Sequence, residues 1–197
     1  AQIGHILAAL KETGLDENTI VVFTSDHGYH MGEHGHWQKT TLFENAAHVP
    51  LIIAGPGVTA KGQTAVSPAE MVDFYPTLAE LCSLKTPSSL SGVSLVPTLK
   101  DATKSSRKTA FTQYENGYSI RTPSYRYTEW GDKGSEGVEL YDHNTDAAEM
   151  KNLANDPETT QLREELSQIL HERIKHANQT PKGVKQIKFE NRRRVPR

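Results

Sequence analysis

Apolar residues near the start of the chain recur at helical spacing, with Ile3, Ile6, Leu7 and Leu10 on one face. The pattern predicts an amphipathic helix that stops near Thr13, with Gly14 just past it as a cap. The periodicity is already running at the first residues without a start signal, so the chain is expected to be a truncated one. Ile20-Val21-Val22-Phe23-Thr24 follows as a continuous apolar run, the pattern of a strand buried on both faces in a parallel sheet. Val49 to Ala54 repeats it and enters the Gly55-Pro56-Gly57 turn. Residues 29–48 between the two runs are polar, rich in glycine and histidine and without a clean period, which predicts a functional loop and a short helical turn.

Further along, Ser67-Pro68-Ala69-Glu70 has the form of a capping box, opening a helix that runs to about Leu84 with a bend near Pro76. Thr86 to Ser106 is rich in proline and serine and reads as loop. The texture then changes. Ala110–Tyr114, Tyr118–Arg121, Tyr125–Trp130 and Glu139–Tyr141 are short aromatic and β-branched runs separated by turns, which predicts a small antiparallel sheet. Asp156-Pro157 starts a helix with Leu162, Leu166, Ile169, Leu170 and Ile174 on one face, suited to packing on that sheet. The expected organisation is an α/β core over residues 1–106, a sheet-and-helix subdomain over 107–177 and a basic tail over 178–197.

Composition adds little to this picture: 36% apolar and 23% charged residues suit a globular protein, and no apolar stretch is long enough to span a membrane. The net charge of −2 gives no reason to expect a nucleic-acid partner. It hides a contrast, because the tail holds seven basic residues against the single acid Glu190. The single cysteine, Cys82, excludes an internal disulfide. It falls at the apolar end of the predicted helix, so a buried thiol is expected there.

The chemistry concentrates where the first strand ends. Ligands of open α/β sheets sit outside the carboxyl ends of strands, and this strand ends in Ser25-Asp26-His27-Gly28. Asp26 and His27 offer a carboxylate and an imidazole that one metal ion could share, or hydrogen-bonding groups at a strand end. Lys39 in the following loop offers an ammonium to an anion, or is a solvated surface lysine. His27, His30, His34, His36 and His48 lie close together in sequence, without the ligand spacing of a zinc site.

Read together, these segments resemble the sulfatase family. The shared pattern is an apolar strand, Ser25-Asp26-His27-Gly28, then Gly32-Glu33-His34-Gly35-His36-Trp37-Gln38-Lys39, Phe43-Glu44 and Val49-Pro50-Leu51-Ile52. Gly117 to Thr122, with Tyr125 to Trp130, resembles the iduronate-2-sulfatase branch, and Glu139-Leu140-Tyr141-Asp142 through Asn152-Leu153-Ala154 resembles the carboxy-terminal strand and turn of sulfatases. The resemblance implies the carboxy-terminal part of an alkaline-phosphatase-like α/β fold and hydrolysis of a sulfate ester on a sugar or related molecule. It implies one calcium ion with Asp26 and His27 among its ligands, Lys39 holding the sulfate, and Tyr29 contacting substrate. The compartment it implies is periplasmic, extracellular or lysosomal. The family nucleophile, a formylglycine made from cysteine in Cys-x-Pro-Ser-Arg, has no counterpart, because Cys82 lies in Leu81-Cys82-Ser83-Leu84. The remaining calcium ligands are also missing, so this chain alone is expected to be inactive and to need an amino-terminal half as its partner. Two other readings stand beside this one: a phosphatase or phosphonate monoester hydrolase of the same superfamily, and a non-catalytic binding module.

Overall fold

The structure is a computed structural model that describes residues 1–180 together with Gly183 and Val184. The basic residues of the tail from Lys182 onward lie outside the described residues. Helix α1, Gln2–Glu12, ends where predicted, with Thr13 as its cap and Gly14 in the left-handed conformation at φ 68°. Strands β1, Val21–Thr24, and β2, Leu51–Ala54, form a two-stranded sheet. They pair antiparallel, Val21 opposite Ala54 and Thr24 opposite Leu51, which corrects the expected parallel pairing. A continuous apolar run reports burial, not the direction of the neighbouring strand. Burial itself is incomplete, because Phe23 and Ile52 face each other across the pair and both stay exposed. Between the strands lies the one-turn helix α2, Glu44–Ala47.

The capping box belongs to Glu70 and Asp73 rather than to Ser67. The Asp73 carboxylate accepts the Glu70 N–H at 2.9 Å, opening a 3₁₀ turn that leads into α3, Phe74–Leu81. Ser67 instead donates to the Pro68 carbonyl, which leaves it no part in a helix start. Cys82 caps the end of α3 and is exposed, correcting the expected buried thiol: the following residue, Ser83, turns the chain away at φ 55°. Part of the segment read as loop is helix α4, Val96–Lys100. It is held against α3 by Thr77, whose hydroxyl accepts the Leu95 N–H at 2.8 Å.

Strands β3, Ala110–Tyr114, β4, Gly117–Arg121, β5, Tyr125–Trp130, and β6, Gly137–Asp142, form an antiparallel meander in that order. Side chains alternate between its faces. The row Ile120, Tyr127 and Leu140 points to α5, Thr160–Ala177, and builds the main core with Leu166 and Leu170. Ile169, expected on the same stripe, lies at the margin and is partly exposed. The opposite face carries the rows Ser119, Thr128, Glu139 and Arg121, Arg126, Tyr141. It is polar yet covered, because Leu42 of the polar loop sits against it. A side-chain carbon at Gly117 would come within 2.8 Å of Leu42 and 2.5 Å of the Trp130 ring, so glycine is what lets them pack there.

The two parts of the chain are tied by charge. Arg107 reaches Asp73 at 2.8 Å and Glu70 at 2.6 Å, and Arg173 of α5 reaches the same Glu70 oxygen at 2.6 Å. Asp73 is fully buried, so losing its arginine would strand a charge away from water. Among the described residues no helix is long and apolar enough to cross a membrane.

Candidate active site

Strand β1 delivers Ser25, Asp26 and His27 to a turn whose path is set by Gly28. The Gly28 N–H donates to the Ala46 carbonyl at 2.9 Å, and a side-chain carbon at Gly28 would sit 1.9 Å from the Asn45 carbonyl oxygen. Only glycine allows this approach. The turn therefore rests directly on α2.

His27 is fixed on one side by that turn. Its Nδ1 lies 2.7 Å from the Gly28 carbonyl, which can only accept, so Nδ1 carries the proton and Nε2 presents a lone pair. Two groups face that lone pair. The Lys39 ammonium stands 2.6 Å away and an Asp26 carboxylate oxygen 3.4 Å away. The other Asp26 oxygen accepts the His27 N–H at 3.0 Å. The Asp26 side chain is 83% exposed, so the site opens outward. Carboxylate oxygen and imidazole lone pair side by side are a fitting pair of donors for one cation. The hydrogen bond from Nδ1 to a carbonyl is the usual way a ligating imidazole is oriented.

Asp26, His27 and Lys39 thus converge. Tyr29 is two residues further on, exposed, and donates its hydroxyl to the Trp37 carbonyl at 2.9 Å. It borders the loop, and its hydrogen bond goes to the loop backbone rather than to the other three. The loop is closed across its neck by bonds from His30 N–H to the Gln38 carbonyl and from Gly32 N–H to the His36 carbonyl, both at 2.9 Å.

Two of the loop histidines, His30 and His34, are packing groups. His30 is fully buried, with Nε2 2.7 Å from the Thr41 hydroxyl. Burial, then His34 and His36, pulls its pKa down and keeps it neutral. His34 stacks on Phe43 with ring centroids 3.9 Å apart.

Sequence reasoning missed a second cluster just behind the loop. Glu149 is buried in a turn at φ 57° and accepts from Arg126 Nε at 2.5 Å, His143 Nε2 at 2.8 Å and the Glu44 N–H at 2.7 Å. The Glu44 carboxylate bonds to Arg126 and, at 3.2 Å, to Arg121. Desolvation pushes the Glu44 carboxyl up, but Arg126 and Arg121 outweigh it and keep it ionised. Glu44, His143 and Glu149 bring ligand-type atoms within 4.8 Å of one another. With both carboxylates already committed to arginine, the arrangement is an ion network rather than a cation site. No sequence pattern separates Glu149 from the solvated acids around it in Asp142 to Glu149; the Phe43-Glu44 pair was the available signal.

A family model described as N-sulphoglucosamine sulphohydrolase, C-terminal, matches residues 32–176. Arylsulfatase K of Bos taurus is 33% identical over 186 residues, covering 87% of this chain and 34% of that protein. An N-acetylglucosamine-6-O-sulfatase of Bacteroides thetaiotaomicron is 32% identical over 206 residues, covering 98% of this chain and 37% of its own length. Among solved structures, a protein in complex with its substrate D-glucosamine-2-N,6-O-disulfate superposes with a TM-score of 0.81 at 32% identity, covering 89% of this chain and 38% of that one. The chain spans about a third of the length of the curated relatives it matches.

Proposed function

From the premise that this chain belongs to the sulfatase family, with the alkaline-phosphatase-like fold of that family, we propose that it supplies the carboxy-terminal share of a sulfatase active site. The observation that carries this is the convergence of Asp26, His27 and Lys39 at the end of β1. Asp26 and His27 would hold a calcium ion, whose chemistry here is to bind and polarise sulfate oxygens. Two donors fall well short of the roughly six to eight ligands calcium takes, so the remainder come from outside this chain.

The chain's own residues then have separate tasks. The Gly28 carbonyl keeps the His27 proton on Nδ1, so that Nε2 stays a donor. The Lys39 ammonium, on a four-carbon stem, neutralises the charge that grows on the leaving oxygen as the ester bond breaks. Tyr29 offers an aromatic face at the rim to the substrate. The nucleophile is not among these residues. A formylglycine from an amino-terminal part is the group that would complete the site, and this chain alone would then turn over nothing.

A sulfated amino sugar is the substrate class proposed, by likeness to the glucosamine-disulfate complex and the N-acetylglucosamine-6-O-sulfatase. The branch within the family is a finer proposal. The Gly117 to Thr122 stretch carries the iduronate-2-sulfatase resemblance, while the relatives reported above are of other branches.

The test is turnover by the complete protein that contains this chain, on glucosamine-2-N,6-O-disulfate and on an aryl sulfate, with a phosphonate monoester and an aryl phosphate alongside. Sulfate release that disappears in Asp26→Asn and on chelation of calcium supports the proposal. Faster turnover of the phosphorus esters, or sulfate release indifferent to Asp26, would sink it.

A further inference from the structure

Three segments distant in sequence meet behind the site, and their bonds run in series. Arg126, on the polar face of the meander, is buried and holds Glu149 at 2.5 Å while also bonding to Glu44. Glu149 accepts the Glu44 N–H, so the first residue of α2 is gripped through both its backbone and its side chain. Helix α2 has four residues and cannot hold its own position, since a single turn is far below the length at which helices are stable alone. Its far end receives the Gly28 N–H at the Ala46 carbonyl, in a contact with no spare room for even one carbon atom. Gly28 in turn fixes the His27 ring through its carbonyl. Where Glu149 puts α2, the imidazole must follow.

We infer that Glu149, together with Arg126, is a positioning residue for the Asp26–His27–Lys39 cluster, acting through α2 and Gly28. The network behind the site thus sets its geometry as well as contributing to the stability of the fold. The inference rests on the sulfatase reading for the identity of the reaction and on the bonds above for the positioning.

Glu129 provides the comparison that separates the two roles. It is buried like Glu149 and lies on β5 like Arg126, but points to the other face of the sheet, where it bonds to Ser167 at 2.7 Å and His171 at 2.8 Å of α5. A purely structural acid should behave like Glu129.

The experiment compares Glu149→Gln with Glu129→Gln in the complete protein that contains this chain. Amide hydrogen exchange at Gly28 is measured without substrate, and kcat and KM are measured on a sulfate ester. Glu149→Gln should speed exchange at Gly28 and lower kcat by about 10- to 100-fold with KM little changed, the scale on which outer partners of a site act. Glu129→Gln should lower the melting temperature while leaving both readouts in place. Unchanged exchange at Gly28 in Glu149→Gln, or an equal loss of kcat in Glu129→Gln, overturns the inference. If Glu149→Gln does not fold, Arg126→Lys carries the same two readouts. Absence of sulfate turnover in the unmodified protein counts against the function proposed above, and exchange at Gly28 still decides the positioning.

Discussion

Leu170 of α5 is completely buried against Ile120 and Leu140, whereas Ile6 of α1 is 68% exposed and Ile52 of β2 is 58% exposed. The two apolar stripes look alike in sequence, yet among the described residues only the second half of the chain covers its own. The meander with α5 is a finished core. The helix and strand pair near the start keep apolar faces turned outward, and the candidate catalytic residues hang from that pair. Within this chain the site sits on the less enclosed part and is still held in place. Its loop is fastened to the better-packed part through Leu42, Glu44 and the charges on the polar face of the meander.

The comparison can be pressed hardest at Lys39. In the complete protein Lys39→Ala should lower kcat and kcat/KM together by on the order of 100- to 1000-fold, the mark of a charge met mainly in the transition state. Lys39→Arg should restore little, because a planar fork does not replace a compact ammonium. Near-normal steady-state kinetics for both variants would make Lys39 an ordinary surface residue. Next in size, Leu170→Ala should destabilise by about 2–5 kcal/mol, read from denaturant titration. A loss near zero would mean that the meander is not the seat of stability.

A smaller effect depends on pH. Desolvation acts to raise the Glu129 carboxyl, but hydrogen bonds from Ser167, His171 and Tyr127 outweigh it, so its pKa in the fold lies below the ordinary 4.5. A carboxyl with a depressed folded pKa contributes fully above the unfolded value and loses that contribution as pH falls through the folded one. Thermal midpoints measured from neutral pH downward should therefore drop below about pH 4.5, and Glu129→Gln should flatten that part of the curve. An unchanged slope in the variant would remove Glu129 from the balance. Smallest of all, in this chain taken alone Ile6→Ala should change stability by no more than about 0.5 kcal/mol, since it uncovers almost nothing. A loss as large as that of Leu170→Ala would show that α1 is covered after all.

The sequence was most informative where one local pattern decides the outcome. The four strands of the meander were legible because aromatic and β-branched residues alternate with turn residues, and α5 because Leu162, Leu166, Leu170 and Ile174 recur at helical spacing. The pairing of β1 with β2 was not legible, because an apolar run says nothing about the direction of its partner. Ser67 looked like a cap because its spacing is right. Glu70 took the role because Arg107, Arg173 and the Phe111 N–H hold its carboxylate in place. The Asp26, His27 and Lys39 positions could be picked out in sequence, and the structure brings them within bonding reach. What lies behind them could not be picked out, since Arg126, Glu149 and Glu44 look like surface charges until the fold brings them together.

That union also has a dimension in time. Glu44 is made 105 residues before Glu149. At the usual pace of synthesis the loop that carries Lys39 leaves the ribosome about 5–20 seconds ahead of its fastening. For that interval Leu42 and the histidine loop have no anchor on the meander, and they are available to chaperones and proteases. Slow translation between residues 44 and 149 would lengthen this vulnerable period without altering a single bond of the finished protein.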